Sequence, residues 1–68
     1  MSNKVIRLPV VIDKTGLSRS SIYLRMSKGE FPKSISLGDR AIGWLEISVE
    51  KWIDEKISAS GNAGGNHE

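Results

Sequence analysis

The stretch Thr15-Gly16-Leu17-Ser18 asks the backbone to end one helix and begin another within four residues. Gly16 suits the left-handed position just past a helix end. Ser18 suits an N-cap, where its hydroxyl accepts from a free backbone N–H of the next turn. Leu17 before the cap and Ile22 four positions after it can close a hydrophobic staple. Serine at position 21 leaves the capping box incomplete. Upstream, Pro9 fits a first helical turn, where its missing N–H costs nothing. A first helix is therefore expected from about Pro9 to Thr15, and a second from Ser18 to about Lys28, ended by Gly29. Ile22 and Met26, four residues apart, share the inward side of the second helix. Two short helices joined this tightly make a helix-turn-helix candidate.

Phe31-Pro32 breaks the helical pattern. Ile35 and Leu37 then alternate with Ser34 and Ser36, the period of a half-buried strand. Gly38-Asp39 reads as a two-residue hairpin turn. That turn sets Ile35 opposite Ile42 and Leu37 opposite Arg40, with Ile35, Leu37, Ile42 and Trp44 on one face. Ser48 is expected to cap a third helix ending near Ser58, and Ile47 to staple against Trp52. Val49, Trp52, Ile53 and Ile57 form its apolar stripe. Residues 1–7 look polar and loose. The expected organisation is one mainly α domain with a small β-hairpin over 1–58, in the order α-α-β-β-α, and a small-residue, Gly-rich disordered tail over 59–68. The hairpin tip is a candidate wing, and the third helix covers the apolar side of the rest.

At 68 residues without cysteine, such a chain has neither disulfides nor thiolate zinc sites to staple it. The lone His67 makes a poor metal ligand, so we expect no metal and no cofactor. The fold must rest on apolar packing. No apolar run is long enough to cross a bilayer. The N-terminus lacks the basic-then-apolar pattern of a secretory signal, and a cytoplasmic location is expected. Glu50, Asp54 and Glu55 read as a solvated helix face, and no nucleophile–base pair with histidine is in view, so an enzyme is not expected.

Charge is unevenly spread. Residues 1–45 hold eight Lys/Arg against three acids, a net +5, and residues 46–68 hold two lysines against five acids, a net −3. A basic front and an acidic back suit a polyanion on one side and water or protein on the other. The second helix sharpens this. With Ile22 and Met26 turned inward, Arg19, Ser20, Tyr23 and Ser27 fall on the opposite side, and no acid occurs between Asp13 and Glu30. These are types that donate to phosphates and base edges, and the helix start adds free N–H groups and a positive dipole end. Tyr23 can equally wedge against the hairpin. Arg25 lies nearer the packed side, and Leu24 is expected to be exposed or to meet another protein copy. Arg40 at the hairpin tip can enter a minor groove. Lys14, Lys33 and Arg7 are placed to meet phosphates. Trp44 and Trp52 are expected in the core.

The segment from Arg7 to Ile53 resembles the AlpA family of small phage and prophage regulators. The pieces that carry the resemblance are Arg7-Leu8-Pro9, the run from Thr15 to Tyr23, the G-x-F-P-K of Gly29 to Lys33, the L-G-x-R-A-x-G-W of Leu37 to Trp44, and the V-x-x-W-I of Val49 to Ile53. Where the family pattern often carries a basic residue near position 24, this chain has Leu24 with Arg25 beside it. The resemblance implies a winged helix-turn-helix like those of MerR-type regulators and excisionases. It implies a protein that controls prophage genes, or an excisionase-like recombination directionality factor.

On this basis the expected partner is double-stranded DNA, with the second helix in a major groove and the hairpin wing at 38–40 beside it. Arg19, Ser20 and Tyr23 are the expected base or near-base contacts. Ser18, Lys14, Arg25, Lys28, Lys33 and Arg40 are the phosphate candidates. A module this small buries only ~600–1,000 Å² on DNA, so tandem sites, self-association or help from a phage integrase are expected; no membrane partner is. The alternative is a protein-binding adaptor acting on an integrase or regulator.

Overall fold

A computed structural model describes residues 3–60. Its elements are β1 (Val5–Ile6), α1 (Leu8–Thr15), α2 (Arg19–Ser27), β2 (Ile35–Gly38), β3 (Ala41–Leu45) and α3 (Glu46–Ala59). The α-α-β-β-α succession is present, and β1 precedes it. The arrangement is a helix-turn-helix followed by a hairpin wing and a closing helix. Residues 61–68 of the expected disordered tail, His67 among them, lie outside the described residues.

The turn between the first two helices is built as its side chains dictate. Gly16 closes α1 at φ 73°, donating its N–H to the Ile12 carbonyl at 2.8 Å. Thr15 locks the corner from both sides. Its hydroxyl donates to the Val11 carbonyl (2.7 Å) and its oxygen accepts from the Leu17 N–H (3.2 Å). Ser18 caps α2 by accepting from the Ser21 N–H at 3.2 Å. The far end of α2 is a Schellman motif. Gly29 sits at φ 72°, its N–H bonds the Met26 carbonyl, and the Glu30 N–H bonds the Arg25 carbonyl at 2.8 Å.

The core is one cluster of Ile6, Val11, Ile22, Phe31, Trp44 and Val49, drawn from every element except β2 together with the loop after α2. Leu8, Ile12, Leu17, Met26, Ile42, Trp52 and Ile53 pack around it. Both indole N–H groups pin the loop that leaves α2: Trp44 donates to the Pro32 carbonyl (3.2 Å) and Trp52 to the Glu30 carbonyl (2.8 Å). Phe31 meets Trp52 edge-on at 4.9 Å between centroids. A buried aromatic whose polar atom finds a partner loses nothing on burial, and here that partner fixes where the wing leaves the helix pair.

Four expectations are corrected. The N-terminal residues are not loose throughout: Val5 pairs with Leu45 and Ile6 with Trp44, which gives a three-stranded sheet in the order β1-β3-β2. Ile6 is buried in the core, so burial rather than strand length holds β1. The hairpin register differs as well. The two turn residues are Asp39 and Arg40, which puts Gly38 opposite Ala41, Ser36 opposite Ile42 and Ile35 opposite Gly43, with an irregularity between Ser36 and Gly38. A slip of one residue sends a strand's side chains to the other face. Leu37 accordingly lies on the Gly43 side, exposed, while Trp44 is buried on the other. Third, α3 begins at Glu46 without a side-chain cap. The Glu46 N–H is satisfied by the Lys4 carbonyl (2.8 Å), so the chain just before β1 takes the part expected of Ser48. Last, Ile47 and Ile57 are among the most exposed apolar side chains described, so neither joins a staple or the buried stripe.

Candidate nucleic-acid interface

Helix α2 buries Ile22 completely and half-buries Met26, which fixes how it turns. At 3.6 residues per turn its opposite side is centred on Ser20 and Leu24, with Ser27 and Lys28 a turn further on. Ser20, Leu24, Ser27 and Lys28 are all exposed, as are Ser18 and Arg19 at the helix start. Leu24 is 55% exposed. Sequence reasoning placed Arg19, Ser20, Tyr23 and Ser27 on this side and expected Leu24 to be exposed or to meet another protein copy; Leu24 is exposed, and the helical period puts it at the centre of this side.

The polar groups on this face differ in what they can still offer. The Ser18 oxygen accepts from Ser21, which leaves its hydroxyl hydrogen free to donate. Ser27 donates to the Leu24 carbonyl (2.7 Å), so only its acceptor capacity remains. The Arg19 guanidinium lies 5.7 Å from the centre of the Tyr23 ring. This cation–π contact holds the arginine against the helix and keeps its charge. Tyr23 is exposed at 38% and stands about 100° around the helix from the buried Ile22, between the packed and outward sides. Arg25 is half-buried, and its Nε is cut off from solvent without a hydrogen-bond partner.

Outside α2, Lys33 stands exposed at the base of the hairpin and Arg40 at its tip. Arg40 adopts φ 68° and Asp39 φ 38°, both in the left-handed region. Lys14 is not grouped with these residues. Its ammonium bonds Glu50 at 3.1 Å and pairs with Glu46 at 3.5 Å, and Lys4 approaches the same Glu46 at 4.0 Å. The hydrogen bond to Glu50 and the charges of both glutamates raise the Lys14 pKa above its ordinary value, against a smaller opposing effect of burial. Among the described residues no cluster of His, Cys, Asp or Glu could hold a metal ion, and no helix is long and apolar enough to cross a membrane.

Comparison with known proteins gives this face its context. The chain is 42% identical over 55 residues to the uncharacterized ORF88 protein of Enterobacteria phage P4, an alignment covering 81% of this chain and 62% of that protein. It is 34% identical over 59 residues to the DNA-binding transcriptional activator AlpA of Escherichia coli K12, covering 78% of this chain and 84% of that one. The chain thus spans about three fifths of the phage P4 protein and most of AlpA. The family model for prophage CP4-57 regulatory protein (AlpA) matches residues 4–57, which include every secondary-structure element up to the last turn of α3. The chain belongs to the AlpA family of prophage regulatory proteins.

Proposed function

We propose that this protein regulates phage or prophage genes by binding specific DNA sequences, with α2 in a major groove and the Asp39-Arg40 wing tip against the neighbouring minor groove or backbone. The observation that carries the reading is the outward face of α2. It is exposed, carries hydroxyls and cations, has no acid, and begins at a capped helix start whose free N–H groups favour a phosphate. The description of the Escherichia coli relative as a DNA-binding transcriptional activator supports it. Arg19, Ser20 and Tyr23 face the bases. Ser18, Arg25, Lys28, Lys33 and Arg40 hold the backbone. Lys14, occupied by two glutamates, is left out of the contact set.

The four cations assigned to the backbone (Arg25, Lys28, Lys33 and Arg40), none of them in an ion pair, predict a slope of log affinity against log salt of about −3.6. Titration of a fluorescent duplex at several salt concentrations measures it. A slope near zero would overturn the reading, and failure of the purified protein to bind attachment-site or promoter DNA would favour an adaptor role.

A further inference from the structure

We propose that Leu24 reads thymine, by packing against the 5-methyl group of one or two thymines on the major-groove floor. This rests on α2 being the groove-reading helix and adds a base identity to that reading. A single exposed leucine on a protein surface needs no explanation. The placement of this one does. Leu24 lies about 160° around the helix from Ile22, which is fully buried, so it stands at the point of α2 farthest from the core. It is 55% exposed there, more than any other large apolar side chain on that helix. Around it stand Ser20, Ser27 and Lys28, all exposed and polar.

An isolated leucine ringed by hydroxyls and a cation is too small to be the centre of a protein–protein contact, which uses contiguous apolar surface and depletes charge at its core. It matches the other apolar target such a face would meet. In the major groove the only apolar group on a base-pair edge is the thymine methyl, and aliphatic side chains recognise it by contact. Ser20, one turn before Leu24 and without a hydrogen bond of its own among the described residues, can serve either a donor or an acceptor on the adjoining base edge. Leu24 and Ser20 together would favour a site with thymine at a defined step from a polar base contact.

The test begins with selection of duplexes from a random library by the full chain. Each thymine of the enriched site is then replaced singly by deoxyuridine, which removes only the methyl group. The wild-type chain should lose about fourfold in affinity at one or two of these positions, the effect of one buried methyl. Leu24→Ala should bind the thymine and deoxyuridine duplexes alike, with the salt slope unchanged. Leu24→Lys should tighten binding to all sequences and steepen the slope. If every thymine replacement leaves wild-type affinity within twofold while binding stays steeply salt-dependent, the thymine assignment fails and the DNA-binding reading stands. The assignment fails equally if Leu24→Ala still discriminates between the two duplexes. If no sequence is enriched and affinity ignores salt, both fail.

Discussion

The wing tip offers a perturbation that should move folding and DNA binding in opposite directions. Arg40 holds φ 68°, a left-handed backbone that costs a residue with a Cβ roughly 1–2 kcal/mol, whereas glycine adopts it freely. Arg40→Gly removes that strain. The added freedom of glycine in the unfolded chain returns about 0.5–1 kcal/mol of the gain. The net expectation is a stabilisation of about 0.5 kcal/mol, or roughly 2–4 °C in Tm for a domain of this size. On DNA the same change deletes one cation. The salt slope should become shallower by about 0.9 and affinity near 0.1 M salt should fall roughly eightfold, alike on all sequences. Its neighbour supplies the control. Asp39 also sits at positive φ (38°), so Asp39→Gly relieves similar strain, but it removes an acid and should leave DNA affinity level or higher. Thermal melts followed by circular dichroism and duplex titrations by fluorescence anisotropy read the two effects. A protein weakened by partial unfolding cannot melt higher and bind worse. If Arg40→Gly melts lower than the wild type, or binds DNA equally well, strain is not being kept at the tip for the sake of a contact.

Two further predictions concern the frame behind the interface. A Cβ at Gly43 would lie 2.5 Å from Val5 Cγ1, 3.0 Å from the Ile6 carbonyl oxygen and 3.2 Å from Leu37 Cδ1. Gly43→Ala should therefore cost about 1–3 kcal/mol in urea melts, and Val5→Ala in the same chain should recover part of that; an unaffected single variant would show that β1 does not lie across Gly43. The pKa of Lys14 is raised on folding, so its contribution to stability is complete below the ordinary lysine value of 10.5 and is lost as pH rises through the higher folded value. Lys14→Met should lack that extra alkaline loss when stability is followed from pH 8 to 12, and an alkaline profile identical to the wild type's would mean that the Glu46–Lys14–Glu50 cluster adds nothing to stability.

What could be read from the sequence was what neighbouring residues decide among themselves. Gly16, Ser18 and Gly29 each act within a few residues, through a left-handed backbone or a hydroxyl reaching the next turn, and the limits of the first two helices follow from them. Two of the misreadings involve partners far away in the chain. A two-residue strand at Val5–Ile6 has no local signal; it exists because Ile6 fills the space beside Trp44 and because the Lys4 carbonyl satisfies the start of α3. Ser48 was the better cap on local grounds, and the distant carbonyl won. The hairpin register failed because both of its sides carry apolar groups: Val5 and Leu37 close over Gly43, so alternation could not tell the two faces apart. Among the candidate cations, the exposed Arg19 and Lys28 at the two ends of α2 follow from the sequence, whereas the pairing of Lys14 depends on Glu46 and Glu50, more than thirty residues on.

That pairing changes what the charge of the chain means. The basic first part counts eight cations, and if all of them met phosphates the salt slope would be near −7. Lys4 and Lys14 instead pair with Glu46 and Glu50 near the start of α3, where Glu46 also faces the positive end of that helix's dipole. The acidic part of the chain thus pairs with two lysines of the basic part, closely with Lys14 of α1 and at 4.0 Å with the exposed Lys4 before β1. The cations left for a polyanion are concentrated on α2, at the base of the hairpin and at its tip, with Arg7 exposed just before α1. The slope itself separates the two pictures. A value near −3.6 fits phosphate contacts confined to α2 and the wing. A value approaching −7 would mean that the glutamate pairs open on DNA and that Lys4 and Lys14 exchange carboxylates for phosphates.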